Sequence, residues 1–520
     1  MPNYKPYDYN QSSMVVINYE DQLQPGTFEQ AIHYLVGKRM DLSAFDPKYC
    51  NDKGGRAAYD PAILLKIILF AYSKGITSSR EIAWCCKTNI IFKALSCDTT
   101  PHFTTIANFV SSYPKAIETL FEQVLLICHE EGLLGNELFA IDGCKMSSDA
   151  AKEWSGTFSE LEQKRQKIKR QIKYCIKEHK KLDRRRSDEK ERAKRLDQMI
   201  NTLDKASAKI DQFLKSTDPR MGQGKRLKEV KSNITDNQSA KMTTSKGTLQ
   251  GFTGVVAVDK KHQIVVEAQA FGEGQEHHTL QPILEGLSDR YKRIGISNAI
   301  YKTGVVVTAD TGFSNEENNR YLKEKKINAY IPDNQFRSRD PKFKHQKRKY
   351  GKRHQDKPKL RAVIPASEFE FYKEERVCIC PEGEVLTFIG DYVTDTGITK
   401  AHFSGRLSQC KNCHLNHRCM QNPESARHRK GSGRQVSFQV KRQRTATDWM
   451  KRRVDSREGK QIYGHRMSVV EPVFGNIGTN KGLNRFSLRG KEKVNGQWQL
   501  YCMIQNIEKL MRYGNMAQNR

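Results

Sequence analysis

Four short runs rich in β-branched residues set the architecture of the middle of this chain. They are G-V-V-A-V-D at 254–259, Q-I-V-V-E-A-Q-A at 263–270, G-V-V-V-T-A-D at 304–310 and I-N-A-Y-I-P at 327–332. Each has strand length and strand composition. An earlier run of the same kind, E-L-F-A-I-D, ends at Asp142. Between the later runs lie the helical patterns H-T-L-Q-P-I-L-E-G-L and N-E-E-N-N-R-Y-L-K-E-K. Strands first in succession and then alternating with helices imply an α/β fold, a mixed sheet with its faces covered by helices.

The flanking sequence is of different kinds. Up to about residue 130 it reads as all-α: Asp60 and Pro61 supply an N-cap and a first helical position before I-L-L-K-I-I-L-F-A-Y, and Gly75 suits the end of that helix. Ser78 and Glu81 offer a capping box to a second helix, and a third follows Pro101. Three short helices with tight turns fit a helix-turn-helix module, and equally a helical packing or dimerisation domain. From about 158 to 215 the chain is highly charged, with Leu161, Ile168, Cys175, Leu182, Leu196, Leu203 and Ile210 at heptad spacing and a lapse at 184–189. This predicts an antiparallel helical hairpin inserted into the sheet domain, its charges a solvated face. Residues 338–361 have almost no apolar content and read as a basic loop. A second basic linker at 426–460 precedes an amphipathic C-terminal helix containing Q-L-Y-C-M-I-Q-N-I-E-K-L-M.

Lys and Arg number 89 against 59 Asp and Glu, a formal net charge of +30 over 520 residues. An excess of that size points to a polyanionic partner, nucleic acid above all. The polar start M-P-N-Y-K-P-Y-D-Y has no apolar signal region, and Lys66 interrupts the longest apolar run, 62–72, so no membrane association and a cytoplasmic location are expected. The 13 cysteines then read as reduced thiols. Four of them, Cys380, Cys410, Cys413 and Cys419, include a C-x2-C pair suited to a tetrahedral structural zinc. Cys378, His414 and His417 are rival ligands, and a small β-rich insertion with unligated thiols is the other reading.

Within this basic chain, three acids stand in apolar surroundings. Asp142 closes L-F-A-I and Asp310 closes V-V-V-T-A, both at the strand ends where α/β sheets gather their chemistry. Either alone reads more readily as a turn cap. Glu471 is the lone acid of S-V-V-E-P-V-F-G-N-I, and Pro472 after it places it near a helix start. Carboxylates about 4 Å apart repel by about 4 kcal/mol per pair at an effective dielectric near 20, so three that share a site need cations. Two Mg²⁺ ions (or Mn²⁺) held by such oxygens serve phosphodiester chemistry.

The segments F-A-I-D-G-C-K-M, T-A-D-T-G-F-S-N-E-E-N, Y-G-H-R-M-S-V-V-E-P-V-F-G-N-I and G-L-N-R-F-S-L-R-G-K-E-K-V resemble, in order, the bacterial insertion-sequence transposases of the DDE type. The resemblance implies an RNase H-like core over 131–335 and 456–520, with the helical insertion at about 158–215. It also implies a helical DNA-binding domain over 1–130 and a basic, Cys-rich insertion over 336–455 before the catalytic glutamate. Asp142, Asp310 and Glu471 become the catalytic, metal-holding trio. Tyr463 and Arg466 become contacts to the transposon-end backbone, with Lys481 and Arg489 as further DNA contacts. Lys481 stands in for the lysine that relatives carry seven residues after the glutamate, where this chain has Gly478. His102 replaces a commoner acid. The implied activity is metal-dependent cleavage at transposon ends and strand transfer into target DNA, by a homodimer or larger assembly on DNA. A nuclease, or a domesticated DNA-binding protein without strand transfer, is the alternative.

Overall fold

The computed structural model describes residues 16–48, 54, 57–182, 190–222, 227–245, 247–343, 363–394, 397–428 and 430–515. The heptad lapse at 184–189 and the basic stretch from 344 to 361 lie outside them. The chain forms two compact units, residues 1–309 with 465–520, and residues 310–464.

In the first unit, α1 (Pro61–Ser73) starts as expected, with the Asp60 carboxylate accepting from the Ala62 N–H. Next come α2 (Ser79–Thr88), α3 (Ile90–Ser96), α4 (Phe103–Ser112) and α5 (Pro114–Glu130). The capping box is not formed, because Ser78 makes no side-chain cap bond. An extra break falls at Asn89, whose side chain accepts from the N–H groups of Ile91 and Phe92 and so starts a helix the pattern did not show. His102 caps α4 through its ring nitrogen, the task an acid would perform there.

The sheet begins with β1 (Leu138–Ser147). The insertion that follows consists of α6 (Phe158–Leu182) and α7 (Lys190–Ser216). Arg165 meets Asp211, Cys175 meets Met199 and His179 meets Asp197, a register that only antiparallel helices give. Leu161, Ile168, Cys175 and Ile210 are buried as the heptad predicts. Then come β2 (Ala240–Thr244), β3 (Gly247–Asp259), β4 (Val265–Phe271), α8 (Leu280–Arg293) and β5 (Val306–Ala309). β3 runs antiparallel to β1 and β4 antiparallel to β3, whereas β5 lies parallel to β1 on its other edge. β2 also pairs with β3.

After α9 (Arg466–Gly475), α10 (Lys491–Tyr513) completes the unit. It is not amphipathic in its setting: one side meets β4 and another the N-terminal helices, where Tyr501 stacks on Tyr72 at 4.8 Å. Its buried amides have a use. Asn506 bonds both the N–H and the carbonyl of Val265, Asn495 accepts from the Ala270 N–H, and Gln499 donates to the Ala268 carbonyl. The free edge of β4 is thus satisfied by helix side chains rather than by another strand. A buried charge cluster ties three elements together: Arg290 on α8, wholly buried, donates to Glu267 on β4 at 2.7 Å and to Glu122 on α5 at 2.9 Å.

The second unit holds a five-stranded antiparallel sheet of Glu370–Tyr372, Val377–Ile379, Val385–Val393, Ile398–Arg406 and Ser432–Arg442. Its core is Ile364, Phe369, Cys378, Leu386, Ala401, Phe403 and Val436. Beside it, Glu316 caps the helix Ala446–Asp455 by accepting from the N–H groups of Ala446 and Thr447. Among the described residues, no helix is long and apolar enough to cross a membrane.

Candidate active site

Asp142 does not close its strand. β1 continues to Ser147 because β3 pairs with it along its whole length, including Asp142 with Val256. What ends beside Asp142 is the parallel pairing, whose last partners are Ile141 and Ala309. Asp142 and Asp310 are therefore the residues next in line on two paired strands. Asp310 does close its strand, as expected.

The Asp142 carboxylate is engaged on both oxygens. Oδ1 accepts from the Gly143 N–H at 2.8 Å, and Oδ2 accepts from the Arg466 guanidinium at 2.8 Å. Arg466 is the first residue of α9, which packs against β1, and it is only 6% exposed. In the second unit, the Tyr463 hydroxyl donates to Asp310 Oδ1 at 3.3 Å. The tyrosine and arginine expected to touch DNA each bond one of the two aspartates.

Glu471 is not at a helix start. It is the sixth residue of α9, exposed, with Pro472 inside the helix. A proline there has no N–H to give the Ser468 carbonyl four residues back. Gln263, in the turn between β3 and β4, supplies the missing donor through Nε2 at 3.0 Å. The helix tolerates its proline because the sheet's hairpin covers the orphaned acceptor.

Lys481, expected as a DNA contact, is fully buried, with Nζ 2.7 Å from Glu508. Burial holds its pKa below the usual lysine range, and the Glu508 charge opposes that shift. Arg489 is exposed and binds Asp149, joined there by Arg485. Sequence reasoning missed Glu276, which pairs with Lys145 on β1 at 3.4 Å. Its charge and that of Asp142 both add to the burial that raises the Cys144 thiol pKa. No spacing in the sequence links Glu276 to Asp142. Among the described residues, no three His, Cys, Asp or Glu side chains stand together in a way that could hold a metal ion.

The cysteines separate into two kinds. Cys378 is a core residue of the five-stranded sheet, and burial pushes its thiol up to about 11. Cys380, Cys410, Cys413 and Cys419 instead line one cavity of about 540 Å³. Gly405 and Gly433 make room for Cys410, since a Cβ on either would lie 2.9 or 2.5 Å from its sulfur. The Arg434 N–H donates to that sulfur at 3.4 Å. Of the rival ligands, His414 lines the same cavity and faces Glu382, also in its wall, at 3.0 Å, and His417 contacts the His414 carbonyl at 2.9 Å.

Residues 379–511, a span that includes Tyr463, Arg466 and Glu471, match the family model described as a transposase DDE domain. Residues 17–112, which include α1 to α4, match a second one, a transposase domain (DUF772). The two matches support an insertion-sequence DDE transposase. Asp142 and Asp310 fall outside both matches, so their assignment rests on strand register and on the sequence around them. No curated protein matches the transposase.

Proposed function

We propose that this transposase cuts phosphodiesters at the ends of its element and joins the freed 3′ hydroxyls to target DNA, with Asp142, Asp310 and Glu471 as the catalytic acids. The observation that carries this reading is the helix bearing Glu471, which lies against the strand bearing Asp142 and falls inside the segment that matches a DDE domain. The sheet is read as RNase H-like, its antiparallel strands β4, β3 and β1 followed by parallel β5. Asp142 already accepts a cation, the Arg466 guanidinium, so its setting suits positive charge. Asp142, Asp310 and Glu471 would be the residues to hold a hard divalent ion such as Mg²⁺ or Mn²⁺, which would supply activation of a hydroxyl and stabilisation of a leaving oxygen. Purified protein, an end-sequence duplex and Mg²⁺ test the reading: cut ends and joined products are expected. Cutting without joining leaves a nuclease, and binding without cutting leaves a domesticated DNA-binding protein. Assembly as a homodimer or larger would let one complex hold both ends.

The N-terminal helices are read as the end-recognition module. Arg80, Trp84 and Lys87 lie at helical spacing on the exposed side of α2, and Trp84 is 63% exposed. Replacing Trp84 and Lys87 by Ala is expected to weaken preference for end sequence over scrambled duplex by about 5- to 100-fold, the size of one lost base contact. Salt-sensitive binding to both duplexes should persist, and undiminished preference would move recognition elsewhere.

The four cavity thiols are read as a structural zinc site. Burial pushes the Cys419 thiol up to about 11, so without metal it is protonated at neutral pH, and binding would release its proton. Metal analysis is expected to give about one zinc per chain, lost in Cys413→Ser and kept in Cys378→Ser. Zinc-free protein that is folded and active would end this reading.

A further inference from the structure

The α6–α7 hairpin carries its charge unevenly. Between Gln163 and Lys177, α6 has seven Lys and Arg and no acid, whereas α7 offsets its seven with four acids. On α7 the two signs meet, Arg195 with Glu191 at 2.9 Å and Lys215 with Asp211 at 2.7 Å. Two cations of the α6 run also have local tasks: Arg165 bonds Asp211 across the hairpin and Glu162 beside it, and Lys164 lies over the Trp154 ring at 4.1 Å. The other five, Lys167, Lys169, Arg170, Lys173 and Lys177, are exposed, and among the described residues none of them has an ion-pair partner. We infer that this face of α6 grips the sugar–phosphate backbone of duplex DNA, which makes the helical insertion a sequence-blind arm. The inference rests on the reading that the protein acts on DNA, and it adds a surface distinct from the end-recognition helices.

Geometry, repulsion and spacing carry it. The buried seam of α6 runs through Leu161, Ile168, Ile172 and Cys175. With about 3.6 residues per turn, Arg170, Lys173 and Lys177 project from the opposite side of the helix. Arg170 and Lys177 stand three and four residues from Lys173, and neighbours of like charge at that spacing repel. A face kept only for solvation gains by mixing signs, as α7 does. A polyanion relieves the repulsion that α6 retains. From Lys167 to Lys177 the helix rises about 15 Å, the axial length of about four phosphates on one strand of a duplex, so five cations match that run in number as well as in sign. Tyr174, 64% exposed, stands among them and adds a hydroxyl able to donate to a phosphate. The basic track continues at the foot of the arm. Lys231 pairs with Glu160 in the first turn of α6 and, with Arg220, Lys228 and Lys241, lines a cavity of about 790 Å³. Lys241 belongs to β2, so the cations lead from the arm to the sheet. Backbone contacts of this kind add strength and position and carry no base readout.

The test is equilibrium binding of full-length protein to end-sequence and scrambled duplexes of equal length over a range of salt. Wild type is compared with the triple change Arg170→Gln, Lys173→Gln and Lys177→Gln, and with a control triple on α7, Lys194→Gln, Lys205→Gln and Lys209→Gln, whose positions are also exposed and which removes the same charge. The α6 triple is expected to flatten the slope of log K against log salt by about 2 to 3, at about 0.9 per phosphate contact, and to weaken binding of both duplexes at least about tenfold near about 0.1 M salt. Preference for the end sequence should stay within about twofold of wild type. The control should change the slope by less than about 1, because distant charges are screened. In wild-type protein, a readout independent of the variants' folding, either duplex should protect Lys173 and Lys177 from acetylation and leave Lys194 and Lys205 reactive. A wild-type slope in the α6 triple, an equal loss in the control, a loss confined to one duplex, or unprotected Lys173 and Lys177 would overturn the arm. Wild-type protein that binds neither duplex removes the DNA reading itself, and the inference falls with it.

Discussion

Replacing Glu471 by Gln is expected to lower cleavage of an end-sequence duplex by at least about a thousandfold while leaving binding of that duplex within a factor of about two. The asymmetry follows from where Glu471 sits. It is exposed on α9, so an isosteric neutral side chain disturbs no packing, and surface changes of this kind cost about 0.5 kcal/mol or less. Arg466, on the same helix, keeps its pair with Asp142 on β1, so the structure around Asp142 survives. On the proposed reading, what is lost is one anionic oxygen from the set that would hold the cations. Residues outside the immediate ligand set already change metal affinity or activity by about 10- to 100-fold, and a ligand itself should exceed that. A Glu471→Gln protein that cuts at the wild-type rate with Mg²⁺ would take this residue out of the mechanism.

The acids were legible in sequence because each stands alone in apolar surroundings, and apolar runs report strands and buried helices directly. Their local geometry was less legible. The run L-F-A-I marks where β1 is buried, but β1 ends where β3 stops pairing with it, at Ser147, a long-range fact. Pro472 suggested a helix start because a mid-helix proline orphans a carbonyl. Gln263 removes that objection from about two hundred residues away in the chain. Lys481 follows the same rule: its place after Glu471 suggested a DNA contact, and no local pattern shows that it is fully buried and paired with Glu508 on α10. For the cysteines, spacing favoured one set of four, and the fold adds what spacing lacked, because Cys378 enters the sheet core while the other four face a common cavity.

The elements of the fold were legible where one periodicity ruled. The heptad gave the α6–α7 hairpin, and β-branched runs gave β1, β3, β4 and β5. α10 was misjudged because its asparagines and glutamines look like a solvent face. They are instead the hydrogen-bonding edge of the sheet, and only knowledge that β4 is an edge strand reveals it. Arg290 and Glu267 illustrate the same limit. In sequence they are ordinary charges in a basic chain, one in a helical run and one in a strand.

In the structure those two residues are the most deeply buried ion pair of the first unit's described residues, with Glu267 fully buried and Arg290 2% exposed. Arg290→Ala is expected to destabilise the protein by about 3–5 kcal/mol, read as a lower urea midpoint, because it strands the Glu267 carboxylate without its donor. The loss should not be mistaken for the worth of the pair. Desolvating two charges offsets most of their attraction, so the double change Arg290→Met with Glu267→Met should recover the larger part of the deficit. Glu122, which also bonds Arg290, is less buried and keeps access to water, so it adds little to the residual cost. The pair joins α8 to β4, and Glu122 extends the link to α5. Its rupture should therefore loosen the N-terminal helices from the sheet and lower end binding and cleavage together, unlike the loss of Glu471. A single variant as stable as wild type would show that Glu267 finds another donor or takes up a proton without cost.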